Sequence, residues 1–412
     1  MPYIIVLTFL ITPTYAIHLK LFGLPGNWLM AWILFVWLYF AVELVVKHQY
    51  QNFANYIKSI DKKILIFTGI FFLAGLVSLF IKGFDIKKLG TFIVLFLQPL
   101  SLFFIFGWIF KQSPKTKDWL LTTCYLLLAV AGLYAIIQYF TLWGLPMAWW
   151  GNSQEPKRAL AFFIHPNFYA LFSAPLLAFL LPDLGSAFSV NRKLLLVNCF
   201  KVLAWLLGVI GLLLSLSRAG WAGLAAAIAV YFFVAADKKI KKFILAGVMA
   251  LALVVLAVPN LRWRLILPFR GEQSASSRLI LWHSGWEAIK TSPVLGLGLD
   301  GFGNNYRQYI PENLLLDTHN YPHNIFLDVW VETGILGLIS FIGLVSLYIY
   351  RGLRVASTKE MVGIKDKGLQ IKDLYFPITL FLIALLIQGQ VDNPYFKNDL
   401  AMVFWLILSL SI

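Results

Sequence analysis

The sequence predicts an all-α polytopic membrane protein with about twelve transmembrane helices and one large extracytoplasmic loop carrying short amphipathic helices. Three observations predict it. The 412 residues are 60% hydrophobic and only 13% charged, against roughly 25% charged residues in an ordinary soluble domain. Water would not tolerate so much apolar surface around one core, whereas lipid accepts it. The apolar residues also fall in runs close to the roughly 20 residues that cross a hydrocarbon core. Finally, lysine and arginine concentrate in alternate connections, the pattern that fixes membrane orientation.

Taken in order, the apolar runs lie near 2–18, 27–46, 63–81, 89–110, 119–140, 160–181, 194–215, 217–235, 242–258, 325–350, 374–390 and 397–412. The first has the apolar core of a signal peptide but no basic segment ahead of it, and is read as a retained span. The only long interruption is 259–324. The chain therefore divides into nine spans (1–258), an extracytoplasmic loop (259–324) and three spans (325–412). No repeat or low-complexity tract interrupts the pattern. Cys124 and Cys199 lie inside apolar runs without metal-ligand spacing, and read as small buried residues.

With both termini in the cytoplasm, the inner connections hold 20 basic residues against 8 acidic ones, a net of +12, and the outer side 14 against 11, a net of +3. One connection disagrees: Lys82, Lys87 and Lys88 would face out. The inverted arrangement would expose the KKIKK run at 238–242, which is worse. The formal charge of +15 is thus mostly a topological signal facing anionic lipid, and nucleic acid is not a partner.

Four polar constellations remain, all on the outer side. Arg218 stands in SLSRAGW (215–221), in a connection so short that it lies at the membrane boundary. An arginine there costs up to about 2.5–3.5 kcal/mol on insertion scales and normally has a partner or a task. A snorkelling arginine that ends a helix is the plain alternative, but the small residues and hydroxyls around it suit a polyanion gripped by guanidinium. Residues 274–293 read as an amphipathic helix in the outer interface, with Leu279, Trp282, Trp286 and Ile289 at helical spacing. Serines suit its N-cap, and Arg278 stands in its first turn, where the helix N-terminus also favours an anion.

Gly296, Gly298 and Gly301 fit G-x-G-x-x-G, but no strand precedes them, so they read as a tight turn rather than a dinucleotide site. The fourth constellation is THNYPHN (318–324) ahead of a long apolar helix carrying Asp328 and Glu332. His323 stands at the mouth of that helix, and imidazole suits base catalysis near neutrality. A zinc site from His319 and His323 is disfavoured, because Pro322 prevents one helical face and the metalloprotease glutamate is missing. Arg158 with His165, Pro166 and Asn167, and Asp392 with Asn393 and Pro394, form weaker clusters that could be simple turns at helix starts.

Four segments together, RALAFFIHPNFYALF (158–172), SLSRAGW (215–221), the run from SSRLILWHSGWEAI to PVLGLGLDGFG (276–303) and HNYPHNIFLDVWVETGILGL (319–338), resemble the O-antigen ligase and O-antigen polymerase family of bacterial envelope enzymes. The resemblance implies a GT-C-like glycosyltransferase of the bacterial cytoplasmic (inner) membrane, with its active site on the periplasmic face. It further implies inverting, metal-independent transfer without a cofactor. The donor would be a glycan on undecaprenyl diphosphate. The acceptor would be a lipid A-core sugar for a ligase or the growing glycan for a polymerase. Arg218 and Arg278 would grip the diphosphate, His323 would activate the acceptor hydroxyl, and Arg158, His319 and Asn324 would contact substrate. A transporter or flippase of lipid-linked glycan is the rival of another class. Carriers, however, usually place polar groups on broken helices at the midplane, not at one surface.

Overall fold

The computed structural model describes residues 2–13, 18–21, 24–152, 155–187, 195–266, 273–310, 320–357 and 374–412. A helix lies within each of the twelve expected spans. In chain order the helices are α1 (Pro2–Ile11), α2 (Trp28–Val46), α3 (Tyr50–Ser59), α4 (Lys62–Ser78), α5 (Ile86–Phe92) continuing through one wide turn into α6 (Gln98–Gln112), and α7 (Lys115–Thr141). They continue as α8 (Pro166–Phe179), α9 (Leu181–Ala187), α10 (Leu195–Leu214), α11 (Arg218–Val234), α12 (Lys238–Ala257), α13 (Pro259–Ile266) and α14 (Gln273–Thr291). The last are α15 (Gly301–Asn305), α16 (Ile325–Ser357), α17 (Tyr375–Gln388) and α18 (Asn398–Ser409). Six helical stretches, α2, α5–α6, α7, α10, α12 and α16, are long and apolar enough to cross a membrane. None of the 20 residues of α12 is fully buried in the protein. So exposed an apolar helix calls for lipid rather than water around it, and the chain is an integral membrane protein.

The first expected span is corrected. Its helix stops at Ile11, and an antiparallel pair of short strands, β1 (His18–Leu21) and β2 (Leu24–Asn27), follows with His18 opposite Asn27. Pro13 explains the stop, since it has no N–H to continue the α-helical ladder, and the chain passes through a 3-10 turn at Thr12 and Pro13. Asn27 then caps α2 by accepting from Met30 N at 2.9 Å. Asp61, Asp85 and Asp237 cap α4, α5 and α12 in the same way. In α4 and α12 lysines occupy the first turn, where the helix dipole disfavours them; the acidic cap offsets this.

The chain forms two compact units, each built from non-consecutive segments. Unit 1 is Met1–Leu120, Ser276–Tyr348 and Gly389–Ile412; unit 2 is Leu121–Ala275 and Ile349–Gln388. Unit 1 is centred on aromatic rings: Phe71 lies against Phe96, Phe341, Tyr395 and Trp405, and Phe103 meets Trp405 edge-on. Unit 2 uses small residues instead. Gly223 of α11 lies on the backbone of α17 at Ala384, and Gly211 of α10 lies under Tyr169 of α8. Close helix approach at small residues is the usual packing device inside lipid.

The glycine turn expected at 296–301 forms, and has a structural purpose. Helix α16 is broken at Gly334, with φ +70. Ile335 N, which would bond to Val331 O in an unbroken helix, donates instead to Val294 O at 3.1 Å, and Val331 O accepts from Leu297 N at 2.6 Å. The 294–297 backbone therefore straps across the break. Gly296 and Gly298 adopt φ +74 and +83 there, and a side chain on Gly296 would collide with Val331 O.

Each unit gathers at one end the connections expected outside. In unit 1, Leu299 N donates to Ser78 O, Gly303 packs on Asn320, and Ile325 N donates to Gly389 O. In unit 2, Ala159 N donates to Leu214 O, and Asn260 reaches Tyr139. The discordant lysines of 82–88 thus share an end of unit 1 with the 320–325 and 389–397 segments. Cys124 is buried as expected; Cys199 is not, because it lies on an exposed part of α10.

Candidate active site

The most constrained polar group of unit 1 surrounds His323. Proline at 322 and the start of α16 leave His323 in a turn with φ +54, a left-handed geometry uncommon for a residue with a side chain. Its carbonyl accepts from Trp282 Nε1 of α14 at 3.1 Å. Gly285 of α14 makes room for Pro322, which a side chain at that position would crowd. Asn324 follows as the N-cap of α16. Its Oδ1 accepts from Phe326 N at 3.0 Å and Leu327 N at 3.2 Å, and its Nδ2 donates to Gln390 O at 3.2 Å. The side chain expected to touch substrate is thereby engaged in holding the helix start and the 389–397 loop.

That loop supplies what the sequence reading left without a role. Asp392 Oδ1 lies 3.5 Å from His323 Nδ1, and the carboxylate is almost wholly buried while a fifth of the imidazole remains accessible. Asp392 also accepts from Asn393 N at 2.8 Å and lies 3.6 Å from Lys397 Nζ. Burial alone would raise the Asp392 pKa. The Lys397 ammonium and the neighbouring His323 outweigh it and hold the carboxyl well below the usual carboxylate range. Asp392 therefore stays ionised at neutral pH. A carboxylate on Nδ1 orients an imidazole and favours the tautomer with its proton on that nitrogen, the arrangement that makes Nε2 basic.

Lys397 is itself fixed, donating to Asn393 O at 2.7 Å and standing 4.5 Å from the centre of the Tyr321 ring. Asn393 Oδ1 accepts from Tyr395 N and Phe396 N, both at 3.0 Å, an Asx turn of the kind expected at a helix start. Tyr395 OH, donating to Leu95 O at 2.8 Å and accepting from Trp405 Nε1 at 3.0 Å, ties the loop to the aromatic core.

Arg278 joins the same loop: its Nε donates to Val391 O at 2.8 Å, one residue before Asp392. The structure thus brings Arg278 and His323 together. Two expectations about its helix are corrected. The helix begins at Gln273, so Arg278 is in the second turn, and the serines lie inside the helix. The buried face is Leu281, Ser284, Ala288 and Ile289, whereas Leu279 and Trp286 are exposed. Leu281, Ala288 and Ile289 pack with Leu297, Phe302 and Val331 of the strap and α16, so protein packing rather than the apolar spacing of the sequence selects the inward face.

Of the two acids on α16, Glu332 accepts from Phe302 N at 3.0 Å and so holds the first turn of α15. Asp328 is buried, and among the described residues its carboxylate oxygens have no hydrogen-bond partner. No group of three His, Cys, Asp or Glu among the described residues is arranged to hold a metal. His319 lies outside the described residues.

Unit 2 holds the other predicted arginines. Arg158 Nε donates to Ser215 O at 2.9 Å and its Nη2 to Asn167 Oδ1 at 2.6 Å, with the guanidinium 5.5 Å from the Trp149 ring centre. Arg218, the first residue of α11, reaches Arg264 O at 3.5 Å, and Arg264 Nε donates to Leu216 O at 3.1 Å. Three half-buried guanidinium groups therefore meet at the 215–218 turn, where Leu216 has φ +53. Sequence reading missed Arg264; its signal was the LRWRL segment of α13. His165 acts as a cap, its Nδ1 accepting from Asn167 N at 3.0 Å.

Comparison with known proteins matches residues 203–342 to the O-antigen ligase family. The match covers about a third of the chain. It contains Arg218, Arg278 and His323 and stops before Asp392. The chain is also similar to an uncharacterized protein of Haemophilus influenzae, 24% identical over 180 residues, 39% of this chain and 45% of that one. A second similarity is to the exopolysaccharide production protein ExoQ of Rhizobium meliloti, 29% identical over 101 residues, 23% of this chain and 22% of that one. The matched stretches thus cover less than half of either relative.

Proposed function

We propose that this protein is a membrane glycosyltransferase of envelope polysaccharide synthesis, moving a glycan from undecaprenyl diphosphate to a sugar hydroxyl on the periplasmic face. The observation that carries the reading is the buried Asp392 set on His323 Nδ1, with Arg278 bonded to the neighbouring Val391; the ligase-family match supports it. In the proposed step, His323 Nε2 takes the proton of the acceptor hydroxyl as the oxygen attacks the anomeric carbon in line. The bond from that carbon to the diphosphate oxygen breaks, the diphosphate leaves with the electron pair, and the configuration inverts. Arg278 and Arg218 are assigned to the phosphate oxygens, where guanidinium neutralises growing charge. No metal is needed in this scheme.

Lipid A-core is the proposed acceptor. Extension of the lipid-linked glycan is the second reading, favoured by the similarity to an exopolysaccharide production protein. Deleting the gene separates them: bare lipid A-core beside lipid-linked polymer indicates a ligase, and a single repeat on the core indicates a polymerase. The shared chemistry is tested by His323→Ala in purified protein. It should bind lipid-diphosphate glycan as the unmodified protein does and transfer at least about a hundredfold more slowly. Transfer at the normal rate would remove His323 as the base.

A further inference from the structure

Two of the three lysines that defy the charge rule, Lys82 and Lys88, line a cavity. Its volume is about 340 Å3, and its lining comes from Lys82, Asp85 and Lys88 on one side and Leu297, Asn304 and Asn305 on the other, all within unit 1. The two sides are joined by Leu299 N donating to Ser78 O and by Lys87 lying 3.8 Å from Asp300. Thr91 Oγ1 donates to the same Asp300 carboxylate at 3.0 Å.

Lys88 is the informative residue. Its side chain is more than nine-tenths buried, and Nζ donates to Ile81 O at 2.7 Å and Gly83 O at 2.9 Å. An ammonium has three N–H donors, so one is left beside the cavity. Two neutral carbonyls satisfy hydrogen bonds but not charge, and a buried cation without an anion is costly. Of the nearby carboxylates, Asp300 faces Lys87, and Asp85 accepts from Lys87 N at 2.7 Å as the cap of α5. Lys82, exposed at the rim, has no ion-pair partner among the described residues. Asn304 and Asn305 add amide groups suited to sugar hydroxyls, although Asn305 Nδ2 also donates to Gly301 O.

We infer that this cavity binds a sugar bearing an anionic substituent, a carboxylate or a phosphate, with Lys88 and Lys82 on the anion and Asn304 on neighbouring hydroxyls. The cavity's wall is continuous with the candidate active site, because Gly303 of α15 packs on Asn320, three residues before His323. Binding as such stands on the cavity; that the sugar belongs to the glycan transferred at His323 rests on the proposed function.

The test is equilibrium titration of the full chain in nanodiscs of neutral lipid, with tetragalacturonate, glucose 6-phosphate and the neutral maltotetraose as probes. The first, the second or both should bind, showing which anion is recognised, and maltotetraose should bind at least about tenfold more weakly. Asn304→Asp adds a carboxylate at an exposed position and should weaken anionic binding about tenfold. Lys88→Met should do at least as much; because Lys88 also pins the 81–83 backbone, Asn304→Asp carries the test if that variant does not fold. Equal binding of the neutral probe, or no effect of Asn304→Asp, would overturn the inference. So would loss of sugar binding when phosphatidylglycerol is added to the nanodisc, which would assign the lysines to lipid headgroups. Turnover is not needed, so a transferring His323→Ala would sink the functional proposal without touching this result.

Discussion

The His323 region of unit 1 and the arginine turn of unit 2 hold their charges in opposite ways. Around His323 the charged groups answer one another: Asp392 faces both His323 and Lys397, and Lys397 is closed in by Asn393 O and the Tyr321 ring. At the 215–218 turn, three guanidinium groups lean on backbone carbonyls and an amide: Ser215 O, Leu216 O, Arg264 O and Asn167. The difference suits two tasks. A general base needs one fixed orientation and tautomer, which an internal charge network gives it. A site for phosphate needs guanidinium groups whose N–H forks are set in place for its oxygens.

The strongest way to break this comparison is Lys397→Met. If the network is internally balanced, removing its buried cation leaves Asp392 poorly compensated and should cost about 3–5 kcal/mol, read as a lower denaturant midpoint in micelles. An unchanged midpoint would mean Asp392 needs no partner there. Next is Arg158→Ala, which removes charged hydrogen bonds to Ser215 O and Asn167 and should cost about 1.5–3 kcal/mol. Lost donor binding at unchanged stability would sharpen the contrast by making Arg158 a substrate ligand rather than a brace. The smallest effect is expected for Asn324→Ala, loss of an N-cap worth about 1 kcal/mol. A loss of transfer far beyond that destabilisation would restore Asn324 to the substrate contacts.

Composition and loop charge made the helical membrane architecture legible, because both follow from the bilayer and not from particular contacts. Individual motifs pointed to Arg218, Arg278 and His323, and the PHN turn placed the histidine at a helix mouth. The partner of that histidine was not legible. Asp392 is 69 positions away and adjoins an Asn-Pro pair that reads as an ordinary turn. The bond between Ile325 N and Gly389 O and the grip of Asn324 on Gln390 help to bring the two segments together. The break in α16 was hidden for a similar reason: one glycine in an apolar run gives no notice that a distant strap will take over its hydrogen bonds. The protein-facing side of α14 was not legible, because periodicity reports apolar residues without saying whether lipid or protein receives them.

The central claim is that Asp392 acts through His323. A double-mutant cycle on the transfer rate, with His323→Ala, Asp392→Asn and the pair, tests it most directly. The account predicts that Asp392→Asn slows transfer strongly in the presence of His323 and that the double variant is no slower than His323→Ala alone. Two losses that multiply would contradict it, because Asp392 would then contribute by a route that does not pass through the imidazole.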